Sequence, residues 1–127
     1  MDNNSKKIVL LVEDDTFVSD IYTMKLTAEG FNVVLASNGM EALKKLEELV
    51  PDIILLDVIM PYVSGMEVLH KIKSQENLKK IPVILLTNVS EKEKIEEALG
   101  IGADDYLIKS HFTPSEVLAK INSFLKK

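Results

Sequence analysis

Pro51-Asp-Ile-Ile-Leu-Leu-Asp57-Val-Ile-Met-Pro-Tyr-Val-Ser-Gly65 is the stretch whose reading decides the fold. Ile53 to Leu56 is an unbroken apolar run, which suits a strand buried on both faces. The run stops on a carboxylate, Asp57. Pro61, Ser64 and Gly65 then break the backbone before a helical pattern resumes. In an open parallel sheet, ligands and chemistry gather beyond the carboxyl ends of the strands. Asp57 is therefore expected at a reactive edge. Read alone, it could equally be a turn former after a strand, and the rest of the chain has to separate the two readings.

Working outward, four more apolar segments precede or follow this one. Ile8 to Val12 runs straight into Glu13-Asp14-Asp15. Phe31 to Ala36 is a second strand, Pro82 to Thr87 a fourth and Asp105 to Ile108 a short fifth, followed at once by Lys109. Helical patterns lie between them. Thr16 to Glu29 places Val18, Ile21, Tyr22 and Leu26 on one face, with Gly30 as terminator. Asn38, Ser64, Ser90 and Thr113 each precede an acid by three residues, the spacing of a helix N-cap, and Pro114 sits at a first helical position. The helices they open are expected to bury Ala42, Leu43 and Leu46; Leu69 and Ile72; Ile95, Ala98 and Leu99; and Val117, Leu118, Ile121, Phe124 and Leu125. Five strands alternating with five helices imply right-handed βαβ units. The fold class is α/β: a doubly wound five-stranded parallel sheet of order 2-1-3-4-5, a flavodoxin-like three-layer sandwich.

Composition bounds the function. At 127 residues the chain is expected to form one domain over 1–127, with its core from about residue 7 to 126. It has no cysteine, which excludes disulfides and thiolate metal sites, and its two histidines make a zinc site a poor reading. No apolar run is long enough for a membrane span, and Met1 to Lys7 is a short polar start unlike a signal peptide. The net charge of −5, from 15 basic and 20 acidic residues, argues against a dedicated nucleic-acid binder.

In this topology the carboxyl ends of strands one, three, four and five converge. They bring Glu13 and Asp14, Asp57, Thr87 and Lys109 to one edge. An acid before a helix is often only a cap, but one cap suffices and here three acids stand in a row. Thr87 or Lys109 alone would be unremarked; together with the acids they make a set. Two carboxylates about 4 Å apart repel by roughly 4 kcal/mol at an effective dielectric of 20. A domain of this kind has only about 5–15 kcal/mol of stability, so Asp14 facing Asp57 needs compensation. Lys109 supplies one positive charge, and a hard divalent ion held by oxygens, Mg²⁺ or Mn²⁺, would supply the rest. A carboxylate nucleophile beside such an ion, with a lysine and a hydroxyl at hand, is what phosphoryl transfer requires.

These motifs resemble the receiver domain of two-component response regulators over essentially the whole chain. The matching segments are Leu-Val-Glu-Asp-Asp after strand one, Leu-Leu-Asp-Val-Ile-Met-Pro around Asp57, Leu-Thr at the end of strand four and Gly-Ala-Asp-Asp-Tyr-Leu-Ile-Lys around strand five. The resemblance implies that Asp57 is the phosphoacceptor for a histidine kinase. It implies that Asp14 and Asp57 ligate Mg²⁺, with Glu13 acting through water and the backbone carbonyl of Ile59 as a further ligand. Lys109 and Thr87 would contact the phosphoryl group, Asn88 after Thr87 would either hydrogen-bond near it or narrow access to Asp57, and Thr87 and Tyr106 would form the switch that alters the surface of helix four, strand five and helix five. The chain departs from the family pattern in having Ser110 where proline usually follows the lysine, and Asn88 where a very small residue usually follows the threonine. A cis peptide before a non-proline residue costs about 2.5–4 kcal/mol, so a trans Lys109–Ser110 bond is expected. Ile59 and Val89, two positions beyond Asp57 and Thr87, are apolar, and slow autodephosphorylation is expected of them. His70 and His111 are assigned no role.

The first functional reading is a stand-alone cytoplasmic signalling module, not a turnover enzyme. It would act by docking an effector, by dimerising through the helix-four to helix-five face, or by passing phosphate to a histidine phosphotransfer protein, with no direct contact to nucleic acid or membrane. A receiver fragment of a larger regulator is the alternative within this reading. The second is a haloacid-dehalogenase-like phosphatase, which needs a second acid where this chain has Ile59. The third is a flavodoxin-like binding protein that is never phosphorylated, against which the complete acid, threonine and lysine set argues.

Overall fold

Each apolar segment becomes a strand, and each capped amphipathic segment a helix, in the computed structural model, which describes residues 6–58, 63–87, 92–109 and 113–125. The elements are β1 (Ile8–Val12), α1 (Thr16–Ala28), β2 (Asn32–Ala36), α2 (Gly39–Glu48), β3 (Ile53–Asp57), α3 (Gly65–Lys73), β4 (Val83–Thr87), α4 (Lys92–Ile101), β5 (Asp105–Ile108) and α5 (Pro114–Leu125). The strands pair in parallel in the order β2-β1-β3-β4-β5. Adjacent strands are in register at their exits: Val12 lies beside Leu56, Asp57 beside Leu86 and Thr87 beside Ile108.

Strand alternation divides the core into two layers. Leu10, Val12, Ile54, Leu56, Val83 and Leu85 pack with α2, α3 and α4 through Ala42, Leu46, Val68, Leu69, Ile72 and Ala98. Val9, Leu11, Ile53, Leu55, Ile84 and Leu86 pack on the other face with Tyr22, Leu26, Val117 and Ile121 of α1 and α5. β3 is buried along its whole length, including Asp57. Each large aliphatic side chain so buried contributes about 2 kcal/mol, which anchors the strand that carries Asp57.

The helix faces depart from expectation at two positions. Ile21 sits at the rim of α1, 37% exposed, because the buried line of that helix runs through Ser19, Tyr22 and Leu26. Leu99 of α4 is 40% exposed, because that helix turns Ala98 and, at its end, Ile101 to the core, and the next residue after Ala98 is rotated about 100° away. Leu43, Leu118, Phe124 and Leu125 pack at the margins of the two cores, only partly buried.

The caps follow the spacing. Asn38 accepts from the Glu41 N–H, while the Glu41 carboxylate turns to the N–H and hydroxyl of Ser37 and is held below its usual pKa by them. Ser64 with Glu67, and Thr113 with Glu116, exchange hydrogen bonds reciprocally. The spacing at Ser90 lies outside the described residues. Among the described residues no helix is long and apolar enough to cross a membrane.

Candidate functional site

The three consecutive acids after β1 take three different places. Asp15 is the N-cap of α1, accepting from the N–H groups of Phe17 (2.9 Å) and Val18 (3.2 Å). Asp14 is exposed at the edge of the sheet. Glu13 is buried, 1% exposed, with its N–H donating to the carbonyl of Ala36 at 3.0 Å. One cap does suffice, which leaves Glu13 and Asp14 for the strand edge.

Asp57 lies at the end of β3, 4% exposed. Its Oδ2 accepts a hydrogen bond from Lys109 Nζ at 3.1 Å, and Nζ also donates to Glu13 Oε2 at 3.2 Å. Glu13 Oε1 lies 2.9 Å from the same nitrogen as an ion-pair contact, but it is buried and accepts no hydrogen bond of good geometry. Lys109 is thus a bridge between two buried carboxylates. Burial alone would push its pKa down, but the hydrogen bond to Glu13 and the charges of Asp57 and Glu13 outweigh it and hold the ammonium above its ordinary value. The backbone places this lysine: its N–H donates to the carbonyl of Thr87 at 2.8 Å, joining the exits of β4 and β5. Thr87 is itself buried.

Carboxylate oxygens of Glu13, Asp14 and Asp57 lie within 4.8 Å of one another. This all-oxygen donor set fits a hard divalent cation.

Tyr106, on β5, is 40% exposed and so faces outward. Beside it, Asp105 pairs with Lys120 of α5 at 2.8 Å. Ile59, Asn88, Val89, His111 and the Lys109–Ser110 peptide lie outside the described residues. His70 is exposed in the last turn of α3. Two features escaped the sequence reading. The ion pair between Glu13 and Lys109 is the first. Tyr22 of α1 is buried and lines a cavity of about 210 Å³ together with Lys109, Phe17, Val18, Ile21 and Pro114. Burial raises its phenol pKa, as does the charge of Glu13, while Lys109 opposes them. Only the helical position of Tyr22 hinted at burial; nothing in the spacing joined it to Lys109.

The sequence pattern of the response regulator receiver domain family matches residues 9–122. The chain belongs to this family. Receiver domains are the signalling modules of two-component response regulators, and relatives of this one include the alkaline phosphatase synthesis transcriptional regulatory protein PhoP of Bacillus subtilis. That protein is 37% identical over 95% of this chain and 49% of its own length. The phosphate regulon transcriptional regulatory protein PhoB of Rhizobium meliloti is 34% identical over 94% of this chain and 52% of its own length. The receiver described here spans about half the length of both. Among solved structures, the Vibrio cholerae chemotaxis protein CheY4 superposes with a TM-score of 0.87 at 30% identity, covering 94% of this chain and 99% of that one. The receiver domain of the Pseudomonas aeruginosa sensor histidine kinase PA1611 gives 0.87 at 28% identity, covering 97% and 100%; it holds a magnesium ion coordinated in its active site cleft.

Proposed function

We propose that this receiver accepts a phosphoryl group from a histidine kinase onto Asp57 and, once loaded, changes its α4–β5–α5 surface for a partner. The observation that carries the reading is the Lys109 bridge between Asp57 and Glu13, set against three carboxylates that share one small volume. A carboxylate oxygen of Asp57 attacks phosphorus, the bond from phosphorus to the imidazole nitrogen breaks, and the electron pair stays on the imidazole. Mg²⁺, held by Asp14 and Asp57 with Glu13 behind a water and the Ile59 carbonyl as a further ligand, would neutralise charge on the transferring group. Lys109 follows the negative charge from the carboxylate to a phosphoryl oxygen. The hydroxyl of Thr87 donates to the phosphoryl group, with Asn88 beside it, and Tyr106 moves inward from its exposed position as Thr87 shifts. Apolar Ile59 and Val89 leave an attacking water unoriented, so the aspartyl phosphate is long-lived.

Residues 1–127 act as one receiver unit in this reading, cytoplasmic as the family's signalling role suggests. A receiver forming part of a longer regulator is the second reading, favoured by the half-length match to PhoP and PhoB. The output would then lie in a further domain and in dimerisation through α4, β5 and α5. Intact mass after incubation with acetyl phosphate and Mg²⁺ tests the core of both readings. One added phosphoryl group is expected, absent without Mg²⁺ and absent in Asp57→Asn. The same adduct in Asp57→Asn would move the acceptor elsewhere, and no adduct from either acetyl phosphate or a kinase would sink the proposal.

A further inference from the structure

We propose that Gly39, which lies outside the acidic cluster, is a positioning residue for the backbone on either side of Asp57; its relevance to phosphorylation rests on the reading above. A Cβ on Gly39 would fall 2.2 Å from the carbonyl oxygen of Val63, 2.9 Å from the Val63 Cβ and 3.0 Å from its carbonyl carbon. Gly65 makes the matching approach at the start of α3. A Cβ there would fall 2.2 Å from the carbonyl oxygen of Asp57 itself and 2.9 Å from the Cα of Val58. The obstructing atoms are mostly main chain, which cannot swing aside as the end of a long side chain can. Both approaches therefore exist only because a hydrogen stands where every other residue has a carbon.

The contacts form a chain of support. The Gly65 N–H donates to the Val58 carbonyl at 3.1 Å, bringing the start of α3 back to the exit of β3. Val63, two residues before Gly65, abuts the first residue of α2. That end of α2 is held by the Asn38 cap, and the turn leading into it is tied to β1 by the hydrogen bond from Glu13 N–H to the Ala36 carbonyl. The segment from β2 into α2 thus meets Glu13 through Ala36, and it meets Val63, two residues before the Gly65 that packs on Asp57 and Val58. A methyl group on Gly39 has to displace Val63 or the start of α2 itself.

Helix propensity argues for the opposite outcome, since alanine is a better helix former than glycine. That makes the substitution informative. Gly100, in α4, has nothing within 4 Å of such a Cβ, so Gly100→Ala serves as the control and as a stabilised background. Gly39→Ala in that background is read by amide NMR and by Mg²⁺ titration of the folded protein. Shifts are expected to spread from α2 to Asp57, Val58 and Gly65, and Mg²⁺ affinity to fall roughly tenfold, as for other residues that orient metal ligands from behind. Gly100→Ala alone should leave both unchanged. Shifts confined to α2, with Mg²⁺ affinity at the parent value, overturn the proposal. Should Gly39→Ala fail to fold, Asn38→Ala loosens the same end of α2 by removing its cap, with no added bulk: amide shifts at Asp57 support the brace, and an unmoved Asp57 overturns it. The NMR comparison needs neither metal nor phosphate. A parent protein that takes up neither would sink the functional reading while the Asp57 and Val58 amides still decide the role of Gly39.

Discussion

Lys109 sets the charge balance of the site. Two carboxylates that are almost fully buried converge on one ammonium, and this bridge raises its pKa despite partial burial. A group whose folded pKa lies above its unfolded value stabilises fully below the unfolded value and loses that contribution as pH rises through the folded one. The Lys109 contribution is therefore complete at neutral pH and disappears only on the alkaline side of the ordinary lysine range. Lys109→Met should destabilise the protein by about 3 kcal/mol at neutral pH in the absence of divalent ions, because it leaves two buried carboxylates without their cation. Urea unfolding of both proteins from pH 7 upward checks this: the difference should be widest at neutral pH and narrow as the pH climbs. Equal stability at neutral pH would mean that the bridge contributes nothing. The ingredients of this site were legible in the sequence, because strand ends name themselves by where apolar runs stop. The direct pair between Glu13 and Lys109 was not. It joins positions 96 residues apart and depends on which of three consecutive acids turns inward, a choice made by the Asp15 cap and the Ala36 hydrogen bond.

At the scale of elements, the strands were the readable part and the helix faces less so. A fully buried strand needs only an apolar run, and β1, β3 and β4 supply one each. A helix presents its face by angle, and a neighbouring residue differs by about 100°, so Ile21 and Leu99 looked as apolar as Tyr22 and Ala98 but fell outside the contact. The far edge of the sheet carries a device with no sequence signature at all. Lys73, at the end of α3, donates to the carbonyls of Lys79 (3.1 Å) and Ile81 (3.3 Å) and lies 3.7 Å from Asp104. Asp104 in turn accepts from the Val83 N–H at 2.8 Å. The aliphatic stem of Lys73 runs past Gly102, whose φ of +136° suits glycine. One side chain thus ties α3, the entry to β4 and the turn into β5. Lys73→Met keeps the stem and removes the charge-assisted hydrogen bonds, and should cost about 2 kcal/mol in urea unfolding. Lys73→Arg, with a planar head that cannot reproduce the same fork, should recover only part of it. Full stability in Lys73→Met would show that water replaces these bonds without loss.

For the whole molecule, alternation implied one parallel sheet, and the flavodoxin-like order expected for it, 2-1-3-4-5, is the order observed and brings four strand exits to one edge. That edge concentrates negative charge in a domain that is already acidic overall. The cluster is therefore a place where like charges oppose stability, and a divalent cation is expected to reverse that. Asp14 is the exposed member, so its repulsion with Glu13 and Asp57 is screened and amounts to about 1 kcal/mol at a separation near 5 Å in water. Asp14→Asn should raise the melting temperature in EDTA by relieving it. Mg²⁺ at a hundredfold excess over its dissociation constant should add about 2.7 kcal/mol to the wild type, which for a domain of this length is roughly 10 °C. The variant turns one of the three carboxylates into a neutral amide, a weaker ligand for a hard cation, and should gain far less. The two proteins are thus expected to exchange rank: the variant melts higher without Mg²⁺, the wild type higher with it. Thermal melts across a Mg²⁺ series read both limits in one experiment. A variant that melts below the wild type in EDTA would mean that Lys109 already cancels the repulsion. A variant that gains as much from Mg²⁺ as the wild type would remove Asp14 from the ligand set.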